Sequence, residues 1–256
     1  MRIRFLGTGT SFGVPVIGCA CGVCRSEDPR DRRTRHALLL EKDGRRLLVD
    51  TPPELRLQLV RAGVGAIDAV FLSHEHADHT HGIDDLRIFS LRTGAPLSTF
   101  IAREFEGEIR RRFDYIWNAR SQPDSVVPQL DLRGFEDREP IEPAGIPMRP
   151  IAFPHGVYRS YGFRAGDVGV IIDGKTIPED AMDLLRDVRV LIINALWFGD
   201  PHPGHFSIEE AVETSRALRA ERTYLTHIAH RARHEEIDRR VPEDVTPAYD
   251  GLVVEL

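Results

Sequence analysis

His74-Glu75-His76-Ala77-Asp78-His79 places four metal-ligating side chains within six residues, directly after the apolar run Ala69-Val70-Phe71-Leu72. Two imidazoles two residues apart, on a loop leaving a strand, can converge on one ion. The Asp-His pair that follows can face a second ion a few ångströms away. Neutral imidazole and carboxylate are borderline-to-hard ligands suited to zinc, manganese or iron. A merely solvated His-rich loop would need neither the acid nor this spacing.

A second cluster is Cys19-Ala20-Cys21-Gly22-Val23-Cys24, which holds all three cysteines of the chain. Three thiols this close, in a chain expected in the cytoplasm, argue for a closed metal site rather than a disulfide. Three thiolates need a fourth ligand for a tetrahedral structural zinc site, and His230 is the best candidate. The alternative is a redox or simply buried set of thiols.

The elements that carry these residues follow from the pattern. Ile3-Arg4-Phe5-Leu6 alternates as a first strand and breaks at Gly7-Thr8-Gly9, where glycine permits tight turns. No helix or Gly-Lys-Ser/Thr follows, so this turn argues only weakly for a phosphate loop. Residues 12–35 form a long non-periodic insertion. Strands at His36–Glu41 and Arg46–Val49 flank Asp43-Gly44, a hairpin signal. Pro52-Pro53 opens a helix with Leu55, Leu59 and Val60 at helical spacing. A strand at 68–72 delivers the histidine loop, and Asp84-Asp85 starts a helix running to about Leu91.

After a strand at Leu97–Ile101 comes a helical pattern of Phe105, Ile109, Phe113, Ile116 and Trp117. Interleaved with Arg110, Arg111 and Arg112, it reads as a substrate lid, a dimer face, or a core stripe with a solvated basic back. Residues 118–147, with Pro123, Pro128, Pro140, Pro143 and Pro147, read as loops joining short strands. The second half gives strands at Met148–Phe153, Tyr158–Arg164, Gly169–Ile172, Val188–Ile193, Arg222–Leu225 and Leu252–Leu256. Helices are expected at about Pro178–Arg186, from the Ser207-Ile208-Glu209-Glu210 capping box to Leu218, and near Glu235–Arg240. Pattern alone supports a mixed α/β class.

Composition is that of an ordinary globular protein, 41% hydrophobic and 29% charged. No apolar run approaches the roughly 18 residues of a membrane helix. Met1-Arg2-Ile3-Arg4-Phe5 enters a strand rather than a signal peptide, so a cytoplasmic location is expected. A net charge of −6 gives no global case for nucleic-acid binding. Of 34 basic residues 32 are Arg, which leaves room for a local phosphate patch.

His74, His76, Asp78 and His79 resemble the signature of the metallo-β-lactamase-fold hydrolases. The resemblance implies a single αββα domain over 1–256, two mixed β-sheets flanked by helices, with the zinc-binding insertion at about 12–35. It also implies three later ligands at strand ends: His155 in Phe153-Pro154-His155-Gly156, Asp173 in Val170-Ile171-Ile172-Asp173-Gly174, and His227 in Tyr224-Leu225-Thr226-His227. One ion is then assigned to His74, His76 and His155, and the other to Asp78, His79 and His227, with Asp173 between them. Such ions stand roughly 3.5–4 Å apart and ionise a water near neutral pH, the expected nucleophile. Asp50 is either an acceptor that orients a ligand histidine or a strand-end turn residue.

The cysteine insertion together with His227-x-x-His230 is similar to the phosphoribosyl cyclic phosphate phosphodiesterase subgroup. That likeness implies a binuclear phosphodiesterase acting on a small cyclic phosphate or nucleotide-like diester. It implies two catalytic ions, zinc or manganese, and one structural zinc. Asp78 and His205 are the catalytic candidates. His205, or less favourably His202, would protonate the departing oxygen. Arg87 could hold a phosphate or make a helix-surface ion pair, and His36, His81 and His234 receive no role. Thioester or lactone hydrolysis and a non-hydrolytic accessory role are the alternatives. Transfer-RNA processing would need a protruding basic, glycine-rich arm, and no insertion of that kind is apparent. Nucleic acid and membrane are therefore not expected as partners, and a homodimer is left open.

Overall fold

The computed structural model describes residues 1–118 and 126–256. Residues 119–125 of the 118–147 stretch, Pro123 among them, lie outside the described residues.

Three antiparallel strands open the chain: β1 (Arg2–Gly7), β2 (Ala37–Lys42) and β3 (Arg45–Val49). The turn between β2 and β3 has φ of 50° at Asp43 and 77° at Gly44. That doubly left-handed geometry matches the twist of the flanking strands. Helix α1 (Leu55–Ala62) then carries the chain across to β4 (Ala69–Leu72), which pairs in parallel with β3. The one-turn helix α2 (Ala77–Thr80) and α3 (Arg87–Thr93) lead to β5 (Leu97–Ala102). Helix α4 (Arg103–Arg112) leads to β6 (Leu130–Phe135), and both strands continue the parallel run.

The second sheet repeats this plan. Strands β7 (Arg149–His155), β8 (Tyr158–Ala165) and β9 (Val168–Ile171) are antiparallel. Helix α5 (Glu179–Leu185) leads to β10 (Val190–Asn194), and α6 (Ile208–Leu218) to β11 (Arg222–Thr226). Helix α7 (His234–Arg240) leads to β12 (Val245–Pro247), and these last strands are parallel. Strand β13 (Val253–Glu255) returns to the first sheet beside β1.

The sheets pack face to face, with Phe71 and Phe163 ring centroids 5.2 Å apart and Phe5 and Tyr224 5.8 Å apart. Alternation along β10 shows how both faces are buried: Val190 and Ile192 join the core between the sheets. Leu191 and Ile193 join Leu185, Ala211 and Leu218 beneath the helices. The expected α/β architecture of two mixed sheets flanked by helices is therefore present. Parallel pairing has one consequence for chemistry. The C-terminal ends of β3 and β4, and of β9, β10 and β11, open side by side at the edges where ligands can converge.

Two local expectations differ, and an open one is decided. Val60 is 69% exposed, and Gln58 takes the buried position on α1, donating to Thr34 Oγ1 and the Arg35 carbonyl at 2.8 Å. A polar side chain wins there because it satisfies neighbouring groups that a valine would leave unpaired. Asp84-Asp85 lies in a 3-10 turn, with α3 starting only at Arg87. Phe105, Ile109 and Phe113 are buried in the core, with Ile116 and Trp117 packed against it, as the core-stripe reading expects. Among the described residues no helix is long and apolar enough to cross a membrane.

The insertion at 12–35 is tied down by buried polar contacts rather than by apolar ones. Buried Arg33 donates to Thr8 Oγ1 at 3.0 Å and to His234 Nδ1 at 3.2 Å. The backbone N–H of His234 donates to Asp31 Oδ1 at 2.6 Å, and Asp250 accepts from the amides of Thr8 and Thr34 at 2.9 and 2.7 Å. Burial, with the charges of Arg33 and Arg30, pushes His234 down to about 4. The unfolded imidazole titrates near ~6.5, so protonation favours the unfolded chain. This contribution is complete above that pH and is lost as pH falls toward 4. Urea midpoints should fall between pH 7 and pH 5, with ~1–2 kcal/mol of that loss absent in His234→Gln.

Candidate metal centre

Each chemical side chain stands where a strand stops. Asp50 follows β3, Ser73 and His74 follow β4, His155 ends β7, Asp173 lies two residues beyond β9, and His227 follows β11. Asp50 and His227 have φ of 64° and 58°, a left-handed conformation that non-glycine residues rarely adopt. Strain of this kind is retained where surrounding contacts demand it.

The donor atoms of His74, His76 and His155 lie within 4.8 Å of one another, as do those of Asp78, His79 and His227, and those of His74, His79 and Asp173. The Asp173 carboxylate is the meeting point. Its Oδ2 is 3.7 Å from His74 Nε2, 3.5 Å from His79 Nε2 and 3.7 Å from His155 Nε2, and its Oδ1 is 3.3 Å from His227 Nε2. Asp173 Oδ1 and His227 Nε2 are buried without a hydrogen-bond partner. Buried polar atoms left without a hydrogen-bond partner are costly, and a cation held between them would satisfy both. Nitrogen and oxygen donors in two such groups fit divalent zinc or manganese.

Charge follows the same geometry. Burial, with His79 nearby, holds His74 well below the usual imidazole range, and burial pushes His227 down to about 3. Burial also opposes charge on His79, but Asp78, Asp50 and Asp173 outweigh it and hold that imidazole well above its usual range. For Asp173, burial favours the neutral acid. His227, His79 and His205 overcome it, so the carboxyl stays ionised.

The supporting contacts orient the rings. Asp50 Oδ2 accepts from His79 Nδ1–H at 2.7 Å, which turns His79 Nε2 toward Asp173. Asp50 also accepts from the amide and hydroxyl of Ser73 at 2.8 and 2.9 Å, and Ser73 Oγ lies 2.9 Å from His74 Nδ1. His155 Nδ1–H donates to the Gly204 carbonyl at 2.9 Å. Ser73 and that carbonyl were not singled out from sequence. A serine after a strand is common, and a backbone acceptor leaves no trace in residue type.

A cavity of about 480 Å³ opens over the cluster, lined among others by His76, Asp78, Tyr158, His202, His205 and His227. His205 Nε2, buried and without a hydrogen-bond partner, is 3.5 Å from Asp173 Oδ2, and His202 lies beside it. Arg87 instead pairs with Asp84 and donates to the Val126 carbonyl at 3.2 Å, outside this cavity.

The cysteines gather separately. The Sγ atoms of Cys19, Cys21 and Cys24 are 3.5, 3.5 and 3.4 Å from His230 Nδ1. A tetrahedral zinc with arms of roughly 2.3 Å to sulfur and 2.0–2.1 Å to nitrogen has S···N edges of about 3.5 Å. The spacing therefore fits zinc. The Cys24 amide, with His230, draws the Cys21 thiol down to about 6, while burial raises Cys24 to about 11.

Residues 45–228 match the family described as a beta-lactamase superfamily domain. The chain belongs to the β-lactamase superfamily. Its fold is that of the metallo-β-lactamases. A solved diphosphatase from the PhnP family is 37% identical, with a TM-score of 0.91 over 100% of this chain and 97% of that one. An octanoyltransferase of Porphyromonas gingivalis is 37% identical over 254 residues, 98% of this chain. The chain spans about half of that relative, 51% of its length. A ribonuclease Z of Natronomonas pharaonis is 25% identical over 269 residues, covering 91% of this chain and 78% of the relative.

Within this metallo-β-lactamase fold the two clusters should respond differently to mutation. Asp50→Ala should weaken metal binding about 10–100-fold, because the ring of His79 loses its orienting acceptor. Titration with a competing chelator measures that affinity. Cys21→Ser should remove one zinc equivalent by elemental analysis and lower the melting temperature, with the metals of the His/Asp cluster retained.

Proposed function

We propose that the chain is a binuclear metal-dependent phosphodiesterase that hydrolyses a small cyclic phosphate or a nucleotide-like diester. The observation that carries this reading is the convergence of both ligand groups and His205 on the single carboxylate of Asp173 at the floor of a cavity. His74, His76 and His155 would hold one ion and Asp78, His79 and His227 the other, with Asp173 shared, and the cysteines with His230 would hold a structural zinc. Two divalent ions held there supply Lewis acidity at the phosphoryl oxygens and lower the pKa of a water toward neutrality. Similarity to a diphosphatase and to a ribonuclease supports phosphate chemistry.

The chain's own contribution begins with His205. The amide of Gly204 donates to His202 Nδ1 at 3.1 Å, so that nitrogen carries no proton. His205 Nδ1, 3.1 Å from the same atom, is then the donor of the pair. This leaves His205 Nε2 facing the Asp173 carboxylate at the cavity wall, where it would serve as the proton donor to the departing oxygen. Asp50 and Ser73 keep the His79 and His74 rings turned inward. Tyr158 and Val157 rim the opening.

A second reading, hydrolysis of an acyl ester or thioester, is favoured by the 37% identity to an octanoyltransferase. Turnover of bis(p-nitrophenyl) phosphate by metal-counted protein, beside thioester and lactone controls, separates the two. Phosphodiester cleavage should dominate and fall about 100-fold or more in kcat for His205→Ala at unchanged metal content. Thioester or lactone cleavage without diesterase activity would move the assignment to acyl chemistry. Silence on every substrate at full metal content would favour the accessory role.

A further inference from the structure

A second chamber of about 320 Å³ adjoins the catalytic cavity, and Ser11, His202, His205 and His227 line both. Beyond those shared residues its wall changes character, to Phe12, Leu196, Trp197, Ala229 and Arg231. The Phe12 ring is 72% exposed. The Arg231 guanidinium lies over the Trp197 ring, 3.7 Å from its centroid. Asp200 contacts both members of that pair. The indole Nε1–H donates to the Asp200 carbonyl at 2.8 Å, and the Asp200 carboxylate is 3.9 Å from Arg231. Among the described residues no carboxylate lines the chamber.

We propose that this chamber is a base-binding subsite, which seats the planar base of a small nucleotide-type ligand while its phosphate lies at the metal centre. The inference rests on the phosphodiesterase reading and narrows its substrate class. A ring left in water at the mouth of a reactive cavity offers an unused stacking face. The guanidinium over the tryptophan offers a second, since the Arg231 side chain is half exposed. Bases stack on aromatic and guanidinium planes, whereas an aliphatic chain gains nothing from the charged plane. The imidazoles shared with the catalytic cavity put the base within one ligand's reach of the carboxylate cluster.

Adenosine 5′-monophosphate and ribose 5-phosphate differ only by the base, so calorimetric titration of the metal-loaded chain with each isolates its contribution. The nucleotide should bind about tenfold or more tightly than the sugar phosphate. Phe12→Ala and Arg231→Met, both at exposed positions, should shrink that ratio toward one while leaving the affinity for ribose 5-phosphate unchanged. Equal affinities in the unmodified protein, or a ratio untouched by both variants, would overturn the subsite. A short oligoribonucleotide binding tenfold more tightly than the mononucleotide would overturn its assignment to a small ligand. The bis(p-nitrophenyl) phosphate assay on the same samples keeps the two readings apart. Turnover with no base preference refutes the subsite alone, and base preference without any turnover refutes the phosphodiesterase alone.

Discussion

The carboxylate of Asp173 is the constraint around which the rest of the molecule is arranged. It is 2% exposed and stands among His74, His79, His155, His205 and His227. An ionised carboxylate in so buried a place is costly unless positive charge or a metal compensates for it. The imidazoles that surround it come from both sheets, so the two halves of the chain must dock before the site exists. The interdigitated aromatic core between the sheets, with Phe71 against Phe163 and Phe5 against Tyr224, holds that docking in register.

Convergence alone would not give a working donor set, because an imidazole can present either nitrogen. The fold resolves this with contacts that lie outside the cluster. Asp50 claims Nδ1 of His79, and the Gly204 carbonyl claims Nδ1 of His155, which leaves Nε2 of each ring turned inward. The left-handed backbone at Asp50 and His227 is part of the same economy of space: each residue is the first after a strand, and each must turn its side chain back across the strand end. Such conformations persist only when the neighbours over-determine them, as the strand register does here.

The 12–35 insertion has little apolar burial of its own and is held by the cysteine–His230 cluster and by the buried Arg33–His234–Asp31 contacts. These anchors fall on the segment after β11, which also supplies His227. The insertion therefore reaches the rim of the cavity, with Ser11 and Phe12 facing the chambers and His230 bordering the second. A cluster that stabilises the insertion thereby also positions one wall of the site. The Cys/His and His/Asp donor groups are separate in space, but the surfaces they support are shared.

Much of the plan was legible in residue order. Alternation over Ile3–Leu6 marked the first strand, Asp43-Gly44 the hairpin of β2 and β3, the Ser207 capping box the start of α6, and the His74–His79 spacing announced metal chemistry because its ligands are neighbours in sequence. Local signals of this kind survive folding, since strand period, turn conformation and capping depend on a few adjacent residues. The set formed by His155, Asp173 and His227 is of another sort: each is an ordinary residue at or just beyond a strand end until the pairing of the second sheet brings those ends together. Ser73, the Gly204 carbonyl, the buried Gln58 and the pairing of Arg231 with Trp197 were decided by tertiary structure alone. Their partners are distant in sequence or belong to the backbone, and no spacing in the chain encodes a contact between groups that meet only after the sheets have packed.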